Sequence, residues 1–461
     1  MAIVLLLLLF WLTSACQQQH PLPELPVLEL GTAQKPVRES IEAALSAARA
    51  RPDDAALVAR LGMTLHAHNQ FAAAAKAYAR AARLDPAQPD YLYYWGTVLS
   101  SDGKYSDAIA PLRAALKLRS SAPVRLQLAD ALYSSGKLVE ARGEYEILIA
   151  ADNTLAAAHY GLGRCLQGTA AASAFERAIE LFPRFGAARF ALAGVYRQLG
   201  QRAKADATLE NYERDKLLSP PVNDPAMAAV QVLDLSAMGL MRASRSLGRA
   251  GRFAEATVLQ ERATAADPNL ALAWVNLIPL YANLEQPQKA EAAYAKAIAL
   301  EPKNADAHYN FGVFRAQQDR LPEAQKAFEA AIAADPGKAE ALDSLGAIIE
   351  QSGAWDRAAS LYRRAIAANR SLPLAHFHLG RILANQRHYP DAIREFEQSL
   401  EPASEQTPGF LYALGATHAR AGATAKAIEI LQRAHIQATQ WQQSPLADAI
   451  ERDLAKLQKH D

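Results

Sequence analysis

Alanine recurs along this chain at a nearly constant interval, at Ala74, Ala108, Ala141, Ala171, Ala205, Ala256, Ala290, Ala324, Ala358, Ala392 and Ala427. Successive gaps are 34, 33, 30, 34, 51, 34, 34, 34, 34 and 35 residues. A fixed period near this length marks an array of two-helix units. One such unit cannot bury its apolar face alone, so each must stack on its neighbours. The expected fold is therefore all-α, a single solenoid. Arrays of this kind present a long surface to a partner and seldom catalyse alone.

The stretch from Ala305 to Pro336 shows how one unit is built. Ala307, Phe311 and Phe314 lie at helical spacing and predict a first helix over about 305–318. Ala324, Ala327, Phe328, Ala331 and Ile332 share one face of a second helix over about 322–334. Pro322 sits in the first turn, where proline is tolerated, and Pro336 stops the helix. A small residue precedes each marker alanine by about twelve positions and lets the paired backbones approach; it is Gly62, Gly96, Gly163, Gly312, Gly346, Gly380 or Gly415 in seven units. Ala129, Ala193 and Ser244 hold the place in three others, and Ile278 is the misfit, a residue expected to push its pair apart. Four residues after the alanine an aromatic recurs (Tyr78, Tyr145, Phe175, Tyr294, Phe328, Tyr362, Phe396) and is expected to fill the space between units. Gly103, Gly136, Gly200, Gly251, Gly353 and Gly422 fall where a positive φ would let the chain turn between paired helices.

Segments such as Ala307-His308-Tyr309-Asn310-Phe311-Gly312 and Glu301-Pro302 make the chain resemble the tetratricopeptide repeat family over roughly residues 55–435. The resemblance implies a right-handed superhelix of about eleven helix-turn-helix repeats with a concave groove. In that family the fifth and sixth residues of each first helix face the groove. The fifth is aromatic here at Tyr93, Tyr160, Phe190, Tyr309, Phe377 and Tyr412, and the sixth is asparagine at Asn276 and Asn310. Aromatics give contact area at small entropic cost, and a side-chain amide can bond a peptide backbone in both directions. These eight residues are the candidate partner-binding set; the alternative is that they only pack against neighbouring helices. The family's clamp for C-terminal carboxylates uses lysine at the fifth position and asparagine at the ninth. The pairs here include Tyr309 with Val313 and Phe377 with Arg381, which disfavours that ligand. Paired asparagines also resemble the array of protein O-linked sugar transferases, although no transferase domain is expected within these 461 residues.

The rhythm departs from itself twice. Only eight residues separate Gly163 from Ala171, so about one helical turn is missing from the fourth repeat. The 51-residue gap contains Pro220, Pro221 and Pro225, which forbid a continuous helix over 213–225. Asp224-Pro225 reads as an N-cap and first helical residue, opening a helix expected to run unbroken from 226 to about 249. Met227, Met238 and Met241 on it suggest either an adaptable patch for a partner or an extra helix sealing a seam between two stacks. The division is then 36–217 (a capping helix and repeats one to five), a linker over 218–225, and 226–461 (the extra helix, repeats six to eleven and a terminal cap). Ile41, Ala44, Leu45 and Ala48 give the first cap its apolar face, and Leu446, Ile450, Leu454 and Leu457 the last.

Residues 2–12 are uninterrupted apolar, and as a helix they would reach only about 16 Å, half a bilayer core. This is the length of a signal-peptide core. Thr13-Ser14-Ala15-Cys16 follows and resembles the bacterial lipoprotein processing site, which implies cleavage after residue 15 and lipid attachment at Cys16. The alternative is an ordinary secretory signal in which Cys16 is incidental. Gln17 after the cysteine implies the outer membrane in that family, and the proline-bearing stretch 17–35 reads as a flexible tether. Either way the protein is expected to be exported to the periplasm. With Cys16 acylated, Cys165 has no disulfide partner and reads as a buried small residue.

A formal net charge of +1 leaves no electrostatic footprint for nucleic acid. No catalytic motif, metal site or cofactor is expected. Gly103-Lys104 and Gly136-Lys137 lack the leading glycine of a phosphate loop, and His66 and His68 lie two apart on a helix and so point to different faces. His159, His308 and His376 hold the same place in separate repeats and read as structural. The expected function is a non-catalytic scaffold, lipid-anchored in the cell envelope, whose groove binds a peptide or protein. The alternative is an accessory or targeting subunit of an envelope complex, such as a sugar transferase or pilus or polysaccharide machinery.

Overall fold

The computed structural model describes residues 21–31, 33–209 and 212–458, and every regular element among them is a helix. Eleven antiparallel pairs follow one another in the predicted phase, from Ala55–Ala67 with Phe71–Leu84 to Thr407–Arg420 with Thr424–Gln440. The illustrative repeat comes out as Ala305–Gln317 and Leu321–Ala334, within a residue of the boundaries read from its periodicity. The first helix of the fourth pair, Ala156–Cys165, has 10 residues where its counterpart in the eighth has 13, so the missing turn is real. Caps stand at both ends. Lys35–Ala50 buries Val37, Ile41, Leu45 and Ala48, and Ser444–Leu457 buries Ala447 and Ile450. The signal segment 1–16, with Cys16, lies outside the described residues. The chain divides into two compact units at Leu240/Met241.

Within a pair, the close approach is set by a ring seated on a glycine. A Cβ added at Gly312 would lie 2.6 Å from the Phe328 ring, and one at Gly346 would lie 2.6 Å from Tyr362. The aromatic thus fills the notch of its own repeat, which corrects the expectation that it serves only the space between repeats. It reaches forward as well, since Tyr78 lies 5.4 Å from Tyr94 and Tyr362 5.1 Å from His378. Where the small residue carries a Cβ, the side chain leans on the next repeat. Tyr145, paired with Ala129, rests on Gly161, and Gln260, paired with Ser244, donates to the Ala273 carbonyl at 2.9 Å. Tyr294, paired with the misfit Ile278, stacks on Phe311 at 3.9 Å while Ile278 stays fully buried. The misfit is accommodated by redirecting the aromatic.

The six turn glycines all take positive φ, from 74° at Gly251 to 82° at Gly136. Asn69, Glu285, Asp319 and Arg387 adopt the same conformation in four other turns, at some steric cost. The repeated histidines are bolts. The Nε2 of His159, His308 and His376 each donates to the carbonyl six residues earlier, at 3.0, 3.1 and 3.1 Å. Trp274 makes the same link to Pro268 at 2.9 Å.

Two segments depart from expectation. The helix expected over 226–249 is broken: Pro225–Gln231 ends, and Ala237–Arg249 starts afresh. The break is chemical. Asp234 accepts from the Ser236 backbone N–H at 3.1 Å, and Ser236 Oγ accepts from Gly239 N–H at 3.1 Å, an N-cap made by side chains that compete with helix continuation. The proposed tether over 17–35 is, in its described part, a seated strand of chain. Arg83 and Arg80 donate to the carbonyls of Pro21 and Pro23, Pro26 is buried, and Leu25, Leu28 and Leu30 pack against the first unit's core.

Candidate functional site

First helices of most neighbouring repeats touch one another within each unit, and the repeat resemblance makes the face they form the inner one. The eight candidate residues lie on these helices in very different surroundings.

In the first unit the inner face is occupied. After the fifth repeat the chain turns back along it. Leu218 carbonyl accepts from Gly186 N–H at 3.3 Å at the start of the fifth repeat's first helix, and a Cβ at Gly186 would lie 2.5 Å from the Asp215 carbonyl oxygen. Further along, Asp224 accepts a hydrogen bond from Tyr93 in the second repeat, and Tyr94 donates to the Ala226 carbonyl at 3.3 Å. Asp224 also caps the short helix Pro225–Gln231, accepting from Met227 N–H at 3.0 Å as its sequence predicted. Val230, 2 % exposed, sits in the first unit's core, with Ala226 and Met227 packed beside it. Asp234 then lies 3.6 Å from His68 at the end of the first repeat's first helix. The segment therefore runs from repeat five to repeat one, opposite to the order of the stack. Neither reading of the methionines fits it: Met227 serves the first unit's inner face, Met241 is buried, and Met238 is half exposed.

Tyr93 is consequently 1 % exposed. Burial first, and then the hydrogen bond to Asp224, hold its phenol well above the usual range. Tyr160 packs on Phe185 at 4.9 Å with the Arg164 guanidinium over its ring at 4.9 Å. Arg164 also donates to Asp130 and, at 2.8 Å, to the Tyr145 hydroxyl. Phe190 is the opposite case, 59 % exposed and stacked on Tyr212 at 5.6 Å.

In the second unit, Asn276 opens onto a cleft of ≈ 320 Å³ lined by Met241, Arg245, Phe253, Leu280 and Asn283 among others. Asn310 reaches back to the Val275 carbonyl at 3.5 Å, so its amide ties two first helices together. Tyr309 lies against Phe328 at 5.9 Å with the Lys338 ammonium 5.5 Å from its ring centre. Phe377 packs on Phe410 at 4.7 Å beside a second cleft that includes Gln406, Gln443 and Leu446. Tyr412 donates to Asp453 of the terminal cap at 2.7 Å.

Two polar links on this face were not foreseen. His378 Nδ1 meets the Asp343 carboxylate at 2.9 Å, and Glu350 accepts from Arg381 and from Tyr362 at 2.8 Å each. Asp343 and Glu350 are both buried. Arg381, at the ninth position, is thereby committed to an internal carboxylate. His66 and His68 do face apart, one toward Tyr78 and one toward Asp234. No group of three or more His, Cys, Asp or Glu among the described residues is placed to hold a metal. Cys165 is part-buried, and burial pushes its thiol up. No helix among the described residues is long and apolar enough to cross a membrane.

A family model, tetratricopeptide repeat, matches residues 60–123, 93–156, 275–339, 314–373, 350–408 and 377–445. A search of curated proteins finds no match. Among solved structures, the pilF protein of Pseudomonas aeruginosa aligns with 19 % identity over 47 % of this chain and 97 % of its own, at a TM-score of 0.41. PilW, described as a type IV pilus biogenesis factor, gives 21 % over 46 % and 97 %, at 0.39. YrrB, described as a repeat protein with an unusual peptide-binding site, gives 24 % over 42 % and 97 %, at 0.34.

Proposed function

Because the chain belongs to the tetratricopeptide repeat family, whose fold typically serves protein–protein interaction, we propose that it is a non-catalytic scaffold of the bacterial cell envelope. Its ligand is a peptide or protein surface held against the inner faces of the array. One observation carries this reading. The inner face of the second unit presents Asn276 and Phe377 on two open clefts, with part-exposed Tyr309 in an intervening repeat, an arrangement of apolar area and amide groups that suits an extended chain. Export rests on the apolar run 2–12, and anchoring on Thr13-Ser14-Ala15-Cys16 after it.

The test is capture from native cells by crosslinking and mass spectrometry, comparing the natural chain with Tyr309→Ala/Asn310→Ala/Phe377→Ala. Loss of a specific partner with helicity retained supports the groove; unchanged capture removes it. Cys16→Ala moves the protein from the membrane to the soluble fraction if the lipid anchor is real, and persistence in the membrane excludes it.

A further inference from the structure

The path of residues 218–234 along the inner face of the first unit is that of a ligand. It crosses the repeats in reverse order, touches them with side chains and with two main-chain carbonyls, those of Leu218 and Ala226, and includes a short helix. Its contacts are of the kinds a groove offers any incoming peptide. A carboxylate accepts a hydrogen bond from a buried tyrosine hydroxyl (Asp224 with Tyr93), a tyrosine reads the backbone (Tyr94 with Ala226), and an apolar helix face enters the core (Met227, Val230). The segment is also poorly suited to be a permanent part of the stack. It carries Pro220 and Pro221, its helix has only 7 residues, and Ala228, Ala229 and Gln231 face solvent. A cleft of ≈ 470 Å³ remains between it and the second and third repeats, bordered by Asp90, Arg119 and Val124.

We propose that the inner face of repeats one to three is a peptide-binding site held shut by the chain's own segment 222–236. Its outside ligand is a partner segment of the same chemistry, an aspartate that caps a short helix with apolar residues three and six positions later, as in Asp224, Met227 and Val230. The proposal refines the scaffold reading above by giving one groove a specific ligand class and a regulatory state. An intramolecular competitor on a short linker acts at an effective concentration of about 1 mM. A peptide that binds the open groove at about 10 µM would then bind the closed one about 100-fold more weakly. The groove stays silent until a partner arrives at high local concentration or the segment is pulled away. The far end of the segment is pinned by Gln34, whose side-chain oxygen accepts from Ala237 N–H at 3.0 Å, so the N-terminal strand is part of the latch.

The probe is a fluorescent synthetic peptide of residues 222–236, titrated against the full-length chain by anisotropy. Two variants open the latch by different means. Asp224→Ala/Val230→Glu removes its grip, and a twenty-residue Gly-Ser insertion between Pro220 and Pro221 dilutes it without touching a contact. The expected result is at least about 30-fold tighter peptide binding to the first variant and several-fold tighter binding to the second. Adding Tyr93→Phe to the first should then weaken the peptide about tenfold. Hydrogen exchange should show fast amides over 227–230 while the repeat helices stay protected. The proposal is overturned if the released chain fails to bind the peptide, if residues 227–230 stay protected in both variants, or if repeats one to three lose protection when the segment leaves. Partner capture that depends on Tyr309, Asn310 and Phe377 would survive any of these failures, so the scaffold reading is judged separately.

Discussion

The Tyr93 hydroxyl donates to the Asp224 carboxylate, joining the second repeat to a segment 131 positions further along the chain. The phenol is buried and donates to a carboxylate, so the bond belongs to the stronger class. Tyr93→Phe should cost about 1–3 kcal/mol in holding the segment. Hydrogen exchange at Met227 and Val230 checks this; unchanged protection there would show that the apolar contacts alone seat the segment.

Gly312→Ala should destabilise the eighth repeat by about 1–3 kcal/mol, because its Cβ would arrive 2.6 Å from the Phe328 ring and force it out of place. Gly143→Ala is the control, since nothing lies within 4 Å of the added atom and the helix gains about 0.5–1 kcal/mol from the better former. Urea midpoints of the two variants should move in opposite directions. A shared direction would mean that glycine is selected for something other than the ring notch.

Acid should weaken the two units unequally. Burial lowers His66 to about 4, so the folded first unit keeps it neutral while the unfolded chain takes up a proton below its usual 6.5. Its contribution is whole above pH 6.5 and shrinks by about 1.4 kcal/mol per unit as pH falls toward 4. His376 in the second unit behaves oppositely. Burial lowers it, but the Glu395 carboxylate at 2.7 Å and the Arg370 carbonyl outweigh that and raise it on balance. Its contribution is present below 6.5 and fades as pH rises through the raised value. His66→Leu should therefore reduce the loss of stability between pH 7 and pH 5. Equal loss in both proteins would contradict the assignment.

Glu350 is 7 % exposed and depends on Arg381 and Tyr362 for its hydrogen bonds. Arg381→Met leaves a buried carboxylate with only the tyrosine hydroxyl and should cost about 2–4 kcal/mol, reduced somewhat because the guanidinium is partly solvated. Pairing it with Glu350→Gln should restore part of that loss. A double-variant cycle with no coupling would show that the pair is not an energetic unit.

The helix pairs, their boundaries, the shortened fourth repeat and the capping helices were legible because each follows from a local period: 34 residues for the unit and 3.6 for the helix. The partner-facing row was legible only as positions. Tyr93 and Phe190 stand at the same place in their repeats, yet one is sealed beneath Asp224 and the other is open. The break at 232–236 has a local signal of its own in the Asp234-Leu235-Ser236 cap. Nothing local told that Asp224, already marked as a helix cap, would find Tyr93.

By itself, then, the sequence determined the architecture, because stacking energy in an array comes from nearest neighbours and repeats wherever the residues repeat. The tertiary structure decided which groove surfaces are free. That depends on contacts between residues more than a hundred positions apart, such as Tyr93 with Asp224 and His68 with Asp234. Such pairs follow no period. Their energy exists only once the stack has made a surface for the intervening segment to fold back upon.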